Sequence, residues 1–216
     1  MRIRPVGTNA LLLDCDGPDQ VEAWRAELWR RRAAGELTAV EIVPAARTVL
    51  LDGVPDQARA TALVAGWTPR PADADDAGWT PRPAVDAAAP ADEVEVPVGY
   101  DGADLPAVAG HWGVDVPEVV ARLTGTTFRV AFCGFAPGFA YLTGLPAEWA
   151  VPRLRTPRPR VPAGSVALAG PYAGIYPGAS PGGWLLVGRT DLTLFDAYAD
   201  PPARLTPGTR VRLVAG

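Results

Sequence analysis

Four arginines, Arg153, Arg155, Arg158 and Arg160, fall within eight residues of this chain with no acid among them. A guanidinium is a planar fork of donors that suits carboxylate or phosphate. Pro152, Pro157, Pro159 and Pro162 predict an extended segment, which displays those cations instead of folding them into a helix. Just upstream, residues 132–146 read Phe-Cys-Gly-Phe-Ala-Pro-Gly-Phe-Ala-Tyr-Leu-Thr-Gly-Leu-Pro. Phe132, Phe135, Phe139 and Tyr141 offer flat apolar walls, and the glycines let backbone approach a ligand closely. Downstream, Ser165, Tyr176 and Ser180 each set a hydroxyl beside Gly and Pro, and Gly182 and Gly183 offer N–H groups to an anion. Singly, each stretch also reads as a packed loop, a solvated basic strip or a set of turns; their clustering points to a site. The candidate binding residues are Arg153, Arg158, Arg160, Tyr141, Ser165, Tyr176, Ser180, Gly182 and Gly183.

Other chemistries are excluded by what is missing. All 20 basic residues are arginine, so there is no Schiff-base lysine and no P-loop lysine. His111 is the single histidine, and Cys15 and Cys133 are the only cysteines, so a zinc site of the usual Cys/His spacing cannot be assembled. No G-x-S-x-G accompanies His111, which reads as a structural or surface residue, and no catalytic residue is identified. The two distant cysteines predict buried thiols and a cytoplasmic protein. The net charge of −4 argues against nucleic acid as partner, although residues 151–212 carry eight arginines against Asp191, Asp196 and Asp200. No apolar run is long enough to predict a membrane span, and the N-terminus shows no signal-peptide core.

The elements that must position these residues fall into two groups. In residues 1–66, the run Ala10–Leu13, an amphipathic helix carrying Val21, Trp24 and Leu28, strands at Val40–Ile42 and Val49–Leu51, and a helix over 56–65 predict a ferredoxin-like α+β domain. Residues 67–92 are rich in Pro, Ala and Asp, and the hexapeptide at 66–71 recurs at 78–83. This reads as a duplicated linker, with a docking peptide as the functional alternative. Residues 93–216 begin with the alternating strand Val94–Val98, then two helices, the second started by Asp115 with Glu118 three residues on. Short strands at Thr126–Phe135, Ser165–Ala169, Trp184–Val187, Leu192–Phe195 and Arg210–Val214, cut by Gly and Pro, predict a β-barrel or sandwich.

Several motifs resemble the 5-oxoprolinase B-subunit family, also called allophanate hydrolase subunit 1, which includes KipI-type kinase inhibitors. They are Gly134-Phe135-x-Pro-Gly-Phe139-x-Tyr-Leu142, Pro152-Arg153-x-x-x-Pro-Arg158-x-x-Val-Pro-Ala-Gly-Ser165, Gly174-Ile-Tyr-Pro177 and Ser180-Pro-Gly-Gly-Trp184, continued by Leu194-Phe195-Asp196 and Pro207-Gly208. The resemblance implies a ferredoxin-like N-terminal domain followed by a cyclophilin-like β-barrel. It implies a subunit, inactive alone, of an ATP-dependent 5-oxoprolinase that opens 5-oxo-L-proline to L-glutamate. ATP would serve the complex, and the ligand would be a small carboxylate. A protein like the 5-oxoprolinase C subunit would be the partner in a hetero-oligomer, which the A subunit would join. The alternative it carries is a KipI-like regulator that binds and inhibits a sensor histidine kinase. The chain departs from the family at Thr124-Gly125, where many members have histidine, at Tyr172-Ala173 in place of Gln-Thr, and at Thr209 in place of aspartate. If the family histidine takes part in catalysis, Thr124 makes this chain a binding subunit.

Overall fold

The computed structural model describes residues 1–69 and 93–216. The chain divides into two compact units, with the boundary inside the stretch not described. The expected linker and the second hexapeptide therefore lie outside the described residues, save for residues 67–69.

The first unit runs β1 (Arg2–Val6), β2 (Ala10–Asp14), α1 (Pro18–Ala33), β3 (Glu41–Pro44), β4 (Thr48–Asp52) and α2 (Gln57–Ala65). Its antiparallel sheet has the order β1-β2-β4-β3. Pro18 opens α1, where its missing N–H costs no hydrogen bond, and Arg30, Arg31 and Arg32 sit in the last turn against the negative end of the dipole. Leu11, Leu13, Trp24, Leu28, Val49 and Leu51 form the centre of the core. Strand β1 is an element that periodicity does not reveal. It is mostly exposed, tolerates Pro5 because it lies at a sheet edge, and is tied to β2 by a bidentate Arg4–Asp14 pair at 2.7 and 3.0 Å.

The second unit contains β5 (Glu93–Val98), α3 (Leu105–Trp112), α4 (Val116–Gly125), β6 (Thr127–Cys133), β7 (Ala140–Thr143), β8 (Arg158–Val161), β9 (Ser165–Ala169), β10 (Tyr172–Ile175), β11 (Ser180–Gly182), β12 (Leu185–Arg189) and β13 (Arg210–Ala215). Seven strands form one sheet in the order β12-β9-β10-β7-β6-β13-β5. Its two edges meet where Gly99 and Arg189 exchange backbone hydrogen bonds at 2.8 and 2.9 Å, so the sheet is a nearly closed barrel. Strands β8 and β11 form a separate two-stranded ribbon. Asp115 caps α4 by accepting the Glu118 N–H at 2.9 Å, but the Glu118 carboxylate bonds Arg122 instead of completing a capping box. The expected strand at Leu192–Phe195 is not one: only Phe195 makes a lone bridge, to Ala203. Leu194 is buried there, so its apolarity serves packing without a ladder. The extended arginine segment is likewise not free along its length, because Arg158–Val161 pairs with β11.

Side-chain alternation sorts the strands of this barrel into two clusters. Val166 and Leu168 of β9, Ala173 and Ile175 of β10, Leu142 of β7 and Leu185 and Val187 of β12 belong to the main core. Their neighbours on the other face, Ala167, Ala169, Tyr141, Tyr172 and Leu186, gather with Phe139, Tyr176 and Trp184 in a second cluster. With a period of two, the same strands supply the barrel filling and a separate aromatic layer on the outside of its wall.

Candidate functional site

The aromatic layer carries a pocket of about 240 Å3, part of it open to solvent, lined by Phe135, Phe139, Tyr141, Arg153, Tyr176, Pro181, Gly182 and Trp184. Each wall has a local cause. Tyr141 lies between two neighbours in register, Phe132 on β6 and Gly174 on β10. Its ring stacks on that of Phe132 at 4.3 Å. Phe139 stands edge-on to Tyr141, Tyr176 and Trp184 at 5.1–5.5 Å, arrangements that the ring quadrupoles favour. The small residues beneath leave room for this layer. A Cβ on Gly174 would come within 3.0 Å of both Phe139 and Trp184, and one on Gly182 within 2.3 Å of the Tyr176 oxygen.

Tyr176 is buried within the aromatic layer. Burial pushes its pKa up against the pull of Arg153. With its proton held, the Tyr176 hydroxyl keeps an O–H to donate. Arg153 is exposed at the rim, and no acid among the described residues pairs with it. The pocket thus joins a flat apolar interior to one cation and the two tyrosines Tyr141 and Tyr176, a combination that can orient a small anion.

Among the candidates read from sequence, Arg153, Tyr141, Tyr176 and Gly182 line this pocket together. Ser180 is next to Pro181 on β11, and its buried oxygen has no partner. Arg158 is engaged elsewhere: it donates to Asp104 at 2.8 Å and to the Trp184 carbonyl at 3.4 Å. Arg160 is exposed on β8, Ser165 is buried on β9, and the Gly183 carbonyl accepts the Leu154 N–H at 2.7 Å; none of the three lines the pocket. His111 is exposed on α3 and lies outside the lining.

Asp104 is the residue sequence reasoning passed over. It precedes α3 yet makes no capping bond; its carboxylate accepts the Leu186 N–H at 2.7 Å and the Arg158 guanidinium. It thereby joins β12 to the β8–β11 ribbon that carries Pro181 and Gly182. A lone acid 54 residues from its arginine offers no periodic signal by which to find it.

Among the described residues no group of three or more His, Cys, Asp or Glu side chains is placed to hold a metal ion. No described helix is long and apolar enough to cross a membrane. Both cysteines are free thiols.

A family model described as the carboxyltransferase domain, subdomain C and D, matches residues 1–205. The 5-oxoprolinase B subunit of Escherichia coli O157:H7 is 48% identical over 124 residues, 56% of this chain and 57% of that protein. Its namesake in Bacillus subtilis strain 168 is 44% identical over 124 residues, 56% of this chain and 52% of that protein. The crystal structure of TTHA0988 superposes with a TM-score of 0.74 at 31% identity, covering 100% of this chain and 41% of that one. The chain spans about half the length of the curated relatives it matches.

Proposed function

The chain belongs to the 5-oxoprolinase B-subunit family, and on that premise we propose that it is the substrate-binding subunit of an ATP-dependent 5-oxoprolinase. The observation that carries this reading is Arg153, paired with no acid among the described residues, at the mouth of an aromatic pocket that Tyr176 also lines. In the proposed complex Arg153 takes the carboxylate of 5-oxo-L-proline as a charge-assisted pair. Tyr141, Phe139 and Trp184 bound the flat lactam ring, and Tyr176 donates a hydrogen bond to it. Arg158, held by Asp104, fixes the ribbon that forms one wall.

The reaction adds water to the ring carbonyl, breaks the C–N bond and returns a proton to the nitrogen, giving L-glutamate. A single guanidinium faces this pocket, which is little charge to hold a triphosphate. We therefore assign ATP to the complex, with proteins like the C and A subunits of 5-oxoprolinase as partners, and route no step of this chain through it. A concave aromatic lining with a guanidinium at its rim favours this reading over a KipI-like regulator, which would need a surface for a protein.

We also propose the division into 1–66, a linker over 67–92, and 93–216. The first unit fits a ferredoxin-like sheet whose edge strand is β1, ahead of the first helix, and the second fits a cyclophilin-like barrel. The sheet orders support both.

The test is reconstitution. This chain mixed with its partner proteins and ATP should release L-glutamate from 5-oxo-L-proline, and the chain alone should release none. A complete, assembled set that leaves 5-oxo-L-proline intact sinks the proposal.

A further inference from the structure

Phe135 departs from two local rules at once. It is the one non-glycine among the described residues with a positive φ, at 71°, and the residue is 62% exposed. The Ala136 N–H donates to the Gly134 carbonyl at 2.9 Å, closing a γ-turn around Phe135 in the positive-φ form that residues with a Cβ rarely adopt. The turn is held from both sides. The Gly134 N–H donates to the Phe139 carbonyl at 3.2 Å, and the Phe139 N–H donates to the Ala136 carbonyl at 3.0 Å. Gly138, at φ 79°, passes so close to Phe195 that a Cβ there would lie 2.6 Å from the phenylalanine Cβ.

Nothing in this loop calls for a bulky apolar residue at its apex. Glycine takes the conformation without strain, and a polar side chain suits the exposure better. What the turn accomplishes is aim. The Phe135 ring is presented at the pocket edge-on to Phe139 at 5.3 Å and to Tyr176 at 6.3 Å, lining the same space as Arg153. Local strain that the surroundings hold in place marks a functional constraint.

We propose that Phe135 is a specificity-determining residue: the strained turn holds its ring as a pocket wall that stacks on the flat face of a ring-shaped carboxylate whose charge Arg153 takes. This rests on the substrate-binding reading above and narrows it to planar five-membered rings over acyclic carboxylates of similar size.

Three variants separate the ring from the turn. Phe135→Gly removes both ring and strain, Phe135→Ala removes the ring and keeps a Cβ, and Phe135→Tyr keeps the ring. In the assembled complex Gly and Ala should raise KM for 5-oxo-L-proline about five- to tenfold with kcat changed much less, while Tyr stays near wild type. The Gly variant should melt about 2–4 °C above the Ala variant, the reverse of the usual order. A Gly variant with wild-type KM overturns the proposal. A wild-type complex that ignores 5-oxo-L-proline instead refutes the functional reading. The ring is then read on the chain alone, as the melting shift produced by millimolar pyrrole-2-carboxylate. A shift in wild type that Phe135→Ala loses supports the proposal; equal shifts, or none in wild type, overturn it. So does an Ala variant that keeps this shift but no longer co-elutes with the partner proteins, which makes the ring a protein contact.

Discussion

In the proposed site Arg153 would supply charge and Tyr176 direction, and each can be removed separately. Hydrogen bonds to charged groups contribute about 1.5–3 kcal/mol. Arg153→Gln should therefore raise KM for a carboxylate substrate by about 10- to 100-fold in the assembled complex. Tyr176→Phe loses one neutral donor worth about 1 kcal/mol, which corresponds to about fivefold. Initial-rate kinetics decide both, and an Arg153→Gln variant with unchanged KM would remove that residue from the site. Arg158 is a contrasting case in the same sequence motif. Its guanidinium is committed to Asp104 and the Trp184 carbonyl, so its loss should loosen the ribbon more than it weakens the charge at the rim. Nothing in the spacing of the arginines distinguishes these two roles. The distinction lies in a carboxylate that the chain brings back from α3.

At the scale of elements, the seam between β5 and β12 decides whether the sheet is a barrel. Gly99 and Arg189 close it, and Gly102 and Gly188 let backbones pass too closely for a side chain. A Cβ on Gly188 would lie 2.5 Å from the Gly99 carbonyl oxygen and 2.8 Å from Val98 Cγ1. Gly188→Ala should cost about 1–3 kcal/mol through overpacking, lowering the melting temperature by several degrees. Gly125→Ala, at the end of α4 with open space around it, should be neutral or slightly stabilising. Circular-dichroism melts compare the pair, and equal effects would mean the seam is not under steric pressure. The strands that meet here were legible as short apolar runs. Their closure was not, because a bridge between residues 99 and 189 depends on the accumulated twist and register of every strand between them.

At the scale of the whole molecule, the lack of lysine leaves an unusual alkaline window. Apart from the N-terminus, only Cys and Tyr side chains titrate between about pH 8 and 11. In the second unit burial pushes the Cys133 thiol from 9.0 up to about 11, and the Tyr100 hydroxyl from 10.0 up to about 12. A raised folded-state value means that the folded chain holds its proton more tightly. The associated stability is complete below about pH 9 and is lost as pH rises through about 11 for Cys133 and about 12 for Tyr100. For Cys133 the loss is on the order of 2–3 kcal/mol. Urea unfolding at pH 8 and pH 11 should show it, and Cys133→Ala should remove the Cys133 share, on the order of 2 kcal/mol, while Tyr100, Cys15, Tyr172 and Tyr176, all raised by burial, keep theirs. A variant that loses as much stability as wild type would assign the effect elsewhere.

Composition and pattern by themselves determined that this protein is mixed α and β, that its Lys/Arg charge is all arginine, and that residues 132–190 hold the motifs that mark its family. These are properties of side-chain chemistry and of periods two and 3.6, which are local. Tertiary structure alone decided that the aromatic layer lies on the outside of the barrel wall, that Arg153 lines the pocket while Arg158 is held by Asp104, and that Asp104 matters at all. Each of these depends on which face of a strand turns inward, or on which distant group arrives beside it. Register and barrel closure set both, and no local stretch of sequence contains them.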